Sequence, residues 1–100
     1  MSTHTKLVEE EHGFGQLMRG DTPLHEVRYD LWIHQIFHQP RPDVLPTPGL
    51  RDIRATVRPT GGVTCEDLMG QEFTLLLDNG RRLNIRLGPG GRVYPRGDLF

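Results

Sequence analysis

The stretch from Glu72 to Leu87, EFTLLLDNGRRLNIRL, constrains this 100-residue chain more than any other. Phe73, Leu75 and Leu77 alternate with Glu72, Thr74, Leu76 and Asp78, and Leu83, Ile85 and Leu87 alternate with Arg82, Asn84 and Arg86. A period of two marks strands with one buried face, and the Asn79-Gly80 pair between them signals a hairpin. The faces then fix the loop. Residues directly opposite in an antiparallel pair share a side. A two-residue loop would set Leu76 against Leu83 and Leu75 against Asn84, mixing inner and outer faces. A three-residue loop, Asp78-Asn79-Gly80, sets Leu75 against Leu83 and Phe73 against Ile85, so the apolar sets coincide. That geometry is a type I turn closed by Gly80 in the left-handed region, where glycine carries no steric penalty.

Upstream, the same alternation recurs. Phe14–Arg19 reads as a short strand, followed by turn chemistry in Gly20-Asp21-Thr22-Pro23. His25, Val27, Tyr29, Leu31 and Ile33 form one face of a long strand, with Glu26, Arg28, Asp30 and His34 on the other. A helical reading competes only over Trp32–Phe37, and the β-branched and aromatic content favours strand before it. Residues 39–49, with four prolines, read as a stiff extended connection. Ile53, Ala55 and Val57 point one way from a third strand, and Asp52, Arg54, Thr56 and Arg58 the other. Thr64–Gly70 reads as one helical turn, capped by Thr64 and stopped by Gly70.

The expected fold is therefore all-β: a small antiparallel barrel of five to six strands in an OB-like order, β-β-β-short helix-β-β. An SH3-like barrel or a small six-stranded barrel is the alternative. Residues 1–13 are expected to form a mobile tail whose Glu9-Glu10-Glu11 run is solvated, and residues 14–100 a single domain with one core.

Apolar runs reach only three residues, as in Leu75-Leu76-Leu77, which excludes a spanning helix. The N-terminus lacks the basic-then-apolar layout of a signal peptide, and one cysteine cannot form an internal disulfide. A cytoplasmic location is the default expectation. The net charge of −1 divides unevenly, −3 over residues 1–50 and +2 over 51–100. Near-neutrality argues against a dedicated duplex-DNA binder. Eleven of the twelve basic residues are arginine, as in a GC-rich, bacterial coding bias, although arginine is also the residue that grips phosphate and carboxylate bidentately.

Catalytic and metal chemistry find little purchase. His34 and His38 would lie about 13 Å apart along a strand, too far to share an ion, and no ligand spacing suits zinc. Cys65 has no oriented base beside it. Gly88-Pro89-Gly90-Gly91 lacks the Lys-Ser/Thr ending of a phosphate loop, and the two Arg-Gly-Asp triplets are turn residues. No enzyme, cofactor or metal is expected.

Two features remain. Arg54 and Arg58 share one outward face, and Arg82 and Arg86 another; aligned, they would make an anion-binding strip, with Trp32 and Tyr94 offering stacking surfaces. A solvated outer face is the plainer reading of the same residues. Trp32, Ile36 and Leu76 are apolar on otherwise polar faces, which calls for a cover, either the C-terminal tail or a partner. The sequence thus points first to a non-catalytic interaction module, self-association included. Its alternative is a single-stranded nucleic-acid or anion binder using Arg54, Arg58, Arg82 and Arg86. No membrane contact is expected.

Overall fold

A computed structural model describes residues 2–100, with side chains from residue 3 onward. Six antiparallel strands, β1 (Ser2–Arg19), β2 (Thr22–Gln39), β3 (Thr47–Pro59), β4 (Glu72–Leu76), β5 (Arg82–Leu87) and β6 (Arg92–Pro95), close into a barrel in the order β1-β2-β3-β6-β5-β4. One short helix, α1 (Cys65–Leu68), joins β3 to β4. This is the small antiparallel barrel expected, with a sixth strand. Among the described residues no helix is long and apolar enough to cross a membrane.

The β4–β5 hairpin has the register that parity demands. Leu75 pairs with Leu83 and Phe73 with Ile85. Gly80 sits at φ 86°, its N–H donates to the Leu77 carbonyl, and the Leu77 N–H donates to Arg81. The Asn79 side chain accepts from the Arg81 N–H at 3.0 Å, bracing the turn.

Inward-facing residues fill the barrel. Leu17, Val27, Tyr29, Leu31, Ile33, Leu75 and Leu83 have no exposed surface, each large side chain contributing roughly 1.5–3 kcal/mol by leaving water. Tyr29 is the bulkiest of them, and β1 makes room for it with glycine. Gly13 lies opposite Tyr29 and Gly15 opposite Val27. A Cβ on Gly15 would stand 2.4 Å from the Leu76 carbonyl and 3.2 Å from the Tyr29 ring, and one on Gly13 would stand 2.5 Å from the Asp78 carboxylate. The Tyr29 hydroxyl donates to Asp78 at 2.7 Å and accepts from the Asp78 N–H at 3.3 Å. Burial, with the Asp78 carboxylate next in effect, pushes the phenol up to about 12. Tyr29 therefore remains a neutral donor across the physiological range.

The N-terminal stretch departs from expectation. Of residues 1–13, read as a tail, Met1 lies outside the described residues and 2–13 form the first part of β1, paired with β2 from Ser2↔Gln39 to Gly13↔Tyr29. The reason is cross-strand chemistry rather than periodicity. Glu9 pairs with Arg51 of β3 and with Arg81 beyond the hairpin turn, and Glu11 accepts from the Asn79 side chain at 2.8 Å. The acid run expected to be solvated thus fastens β1 across the barrel mouth. Above the mouth, β1, β2 and β3 continue as a three-stranded arm, and the molecule measures 54 × 25 × 20 Å. The proline-rich connection shrinks to residues 40–46, and β3 starts at Thr47. Residues 32–37, where helix competes with strand on sequence grounds, are strand.

At the opposite end, Thr64 and Asp67 cap α1 reciprocally, and Leu68 plugs the core with 4% exposure. The tail supplies β6, whose Val93 packs inward opposite Ala55 of β3 and Leu87 of β5. It covers two strand edges that would otherwise stay open.

Two substitutions separate the turn from the close approach. Gly80→Ala is expected to cost roughly 1 kcal/mol or more through positive φ. Gly15→Ala is expected to cost about 1–3 kcal/mol, since backbone lies where the methyl must go. Gly61→Ala, with open space around it and no positive φ, is expected to be neutral or slightly stabilising. Urea titrations of the three variants check the order, and equal midpoints for Gly15→Ala and wild type would contradict the packing.

Candidate functional site

The barrel register lays four strands side by side, and their outward residues form one continuous face. On β2 this face presents Arg28, Asp30 and Trp32, and directly opposite on β3 stand Arg58, Thr56 and Arg54. On β6, Arg92 lies opposite Thr56, and Val93 lies opposite Ala55, which brings the outward Tyr94 beside Arg54. On β5, Arg86 lies opposite Tyr94. Adjacent strands are about 4.8 Å apart, so the row Trp32–Arg54–Tyr94–Arg86 alternates aromatic rings with guanidiniums across four strands. Arg92 adds a third guanidinium, its carbon 5.4 Å from the centre of the Tyr94 ring.

Two recesses lie along this face. One, of about 450 Å³, is bordered by Arg28, Asp30, Thr56, Arg58, Cys65 and Gly90. The other, of about 680 Å³, runs between Trp32, Arg54, Thr56, Arg92 and Tyr94. Thr56 and Gly90 belong to both.

Positive charge dominates the face. Asp52 pairs with Arg54 at 3.1 Å. Asp30 is held by His12 on one oxygen and by the Thr56 hydroxyl on the other. Among the described residues, the side chains of Arg58 and Arg86 have no hydrogen-bond or ion-pair partner. A chain with a net charge of −1 therefore carries a local excess of arginine on one side.

His12 borders this face on β1. Its Nδ1 lies 2.5 Å from Asp30 Oδ1 and its Nε2 lies 2.9 Å from Glu10 Oε1. Glu10 also accepts from the Trp32 indole N–H at 3.1 Å, and the His12 and Trp32 rings meet edge to face. A ring with carboxylates at both nitrogens is satisfied only as the imidazolium, when both are donors. The hydrogen bond to Asp30, then the one to Glu10, raises the His12 pKa above its ordinary value. The same bonds hold Asp30 and Glu10 below the usual carboxylate range. The network fixes the Trp32 ring at the edge of the face.

The residues singled out from sequence divide. Arg54, Arg58 and Arg86 lie on this face, exposed. Arg82 sits apart, half-buried, with its guanidinium 3.8 Å from Asp21 and its backbone bonded in both directions to Phe100. The two arginine pairs are not adjacent, because β6 lies between β3 and β5. The sequence reading missed Arg92 and Arg28 as members of the face. Arg28 was legible as outward on β2, and the alternation Arg92-Val93-Tyr94 is the signal that would have revealed β6. Trp32 and Ile36 are half-buried on β2, while Leu76 lies on β4 opposite Gln16 of β1, so the three apolar residues do not form one patch. Of the tail residues, Val93 and Leu99 pack with the core, and Tyr94 shares the larger recess with Trp32. No group of three His, Cys, Asp or Glu suited to a metal occurs among the described residues.

The His12 network gives a pH signature. Its pKa is raised in the folded chain from 6.5, so its contribution is fully present below about that pH and is lost as pH rises through the folded value. Thermal unfolding is expected to shift to lower temperature over that window, and His12→Gln is expected to flatten the dependence. A ring titration by NMR centred at or below the ordinary histidine value would contradict it. Comparison of the chain with family models, with curated proteins and with solved structures finds no match.

Proposed function

We propose that this chain is a non-catalytic binding module whose ligand is single-stranded nucleic acid, held on the outer face of β2, β3, β6 and β5. The observation that carries the reading is the placement of Arg92 and Tyr94 between Arg54 and Arg86. Guanidiniums hold phosphates bidentately, and exposed rings beside them stack bases whatever their sequence. Tyr94 is 44% exposed, and its ring already carries the Arg92 guanidinium on one side. The short helix between the third and fourth strands supports the reading of an OB-like barrel with one strand added, an architecture suited to such ligands. The groups on the face also bind rather than transfer protons. Arginine does not deprotonate, and both nitrogens of His12 are committed to carboxylates.

A module for a protein partner, or for a second copy, is the second reading. It is favoured by the arm, where Leu45 and Leu50 are 87% and 81% exposed and Leu7 and Val8 are about half so. Sedimentation equilibrium of the full chain tests self-association directly, and a monomer at high concentration removes that form of it.

Anisotropy of a labelled oligothymidylate at low salt tests the first reading. Binding is expected, weakening steeply with salt. Replacing Arg54, Arg58, Arg86 or Arg92 by Gln is expected to lower the affinity and to reduce the log–log salt slope by about 0.7 for each phosphate no longer neutralised. Arg41→Gln, on the 40–46 loop, is expected to leave both unchanged. No binding at low salt would overturn the proposal.

A further inference from the structure

We propose that the recess between Arg28 and Arg58 is a subsite for a phosphoryl oxyanion. The inference rests on reading the surrounding face as a polyanion-binding surface, and it adds a defined position for one phosphate.

Register carries the argument. Arg28 and Arg58 are directly opposite on β2 and β3, and like charges in that position are destabilising. Among the described residues no side-chain hydrogen bond or ion pair relieves the two guanidiniums. Arg58 is bonded only through its backbone, in the ladder with β2. Two carboxylates lie two residues from Arg28 in sequence: Glu26, whose Oε1 accepts from the Thr60 hydroxyl at 3.1 Å, and Asp30, whose oxygens are occupied, Oδ1 by His12 and Oδ2 by the Thr56 hydroxyl at 3.4 Å. Arg28 acts on Asp30 only through the field, without a hydrogen bond. The remaining positive charge faces a recess of about 450 Å³, ample for a tetrahedral anion. Local rules broken without internal compensation are expected where a ligand supplies the compensation. Two guanidinium forks from opposite strands offer parallel N–H pairs to the oxygens of a phosphoryl group. Asp30 on the rim would repel an anion if it were free, but His12 neutralises it.

The anion has two sources, a backbone phosphate of a bound strand or free inorganic phosphate. The experiment uses the full chain in a phosphate-free buffer. Amide resonances of Arg28, Thr56, Arg58 and Gly90 are followed on titration with inorganic phosphate and, separately, with a short oligothymidylate. The variants are Arg58→Thr and Arg28→Thr, with Arg86→Gln as the comparator outside the recess. Saturable phosphate shifts confined to the recess are expected, weakened roughly tenfold or more in either threonine variant. Without phosphate, Arg58→Thr is expected to melt at a higher temperature than wild type, because the repulsion is gone; a lower melting temperature for both threonine variants would overturn the claim of an unrelieved pair and with it the subsite. Saturable phosphate binding with no oligothymidylate binding supports the subsite with free phosphate as its source and removes the nucleic-acid reading. Oligothymidylate binding that weakens in Arg86→Gln but not in Arg58→Thr or Arg28→Thr keeps the face and overturns the subsite. Phosphate shifts that never saturate also overturn it.

Discussion

The barrel closes over three residue pairs, Gln16–Leu76, Leu17–Leu75 and Met18–Thr74. Without this pairing the remaining strands describe an open, curled sheet. Closure requires backbone-to-backbone approach, which Gly15 permits at the Leu76 carbonyl, and it requires that the largest core side chain, Tyr29, lie flat against β1, which Gly13 and Gly15 permit together. The polar contacts at the mouth depend on the same closure. Tyr29 meets Asp78, Glu11 meets Asn79, and Glu9 meets Arg81 only when the hairpin turn of β4 and β5 is drawn against β1.

The face across β2, β3, β6 and β5 is a product of that ring order. Arg54 and Arg86 are both outward by local alternation, but their relation is set by the strand that lies between them. With β6 inserted, Tyr94 and Arg92 fill the gap and the face becomes continuous. Acidic residues are not missing from its surroundings; they are committed. Asp52 is turned to Arg54, and Asp30 and Glu10 to His12. Positive potential here comes from engaging the acids rather than excluding them.

What could be read from sequence follows from how local the determining interaction is. The hairpin loop was legible because Leu75 and Leu83 must share a face, a question of parity within sixteen residues. The inner faces of β2 and β3 were legible because Val27, Tyr29, Leu31 and Ala55, Val57 alternate without interruption. The first half of β1 was not. Its residues Lys6 to His12 show no alternation of apolar and polar, and its strand character rests on partners in β2, β3 and the hairpin turn that proximity in sequence does not reveal. β6 was hidden by its length, four residues ending in Pro95 after a Gly-rich link. Consequently the arginines were sorted correctly as outward, but Arg82 was grouped with Arg86 although the chain end bonds its backbone and Asp21 faces its side chain.

The order β1-β2-β3-β6-β5-β4 also divides the molecule in time. Within β1–β2–β3 and within β4–β5–β6, each strand pairs with its neighbour in sequence, so these two meanders form by closing short loops. The two seams, β1 with β4 and β3 with β6, join residues far apart in the chain and bear the larger loop-closure cost. A chain emerging from a ribosome can complete the first meander while the second is still unmade, and it then holds an open sheet with apolar Val27, Leu31 and Val57 on one side. The last strand needed to shut it is β6. The residues that then shield the core, Arg92 to Pro95, are the same ones that complete the arginine face, so the surface acquires its charge pattern only at the moment the barrel becomes whole.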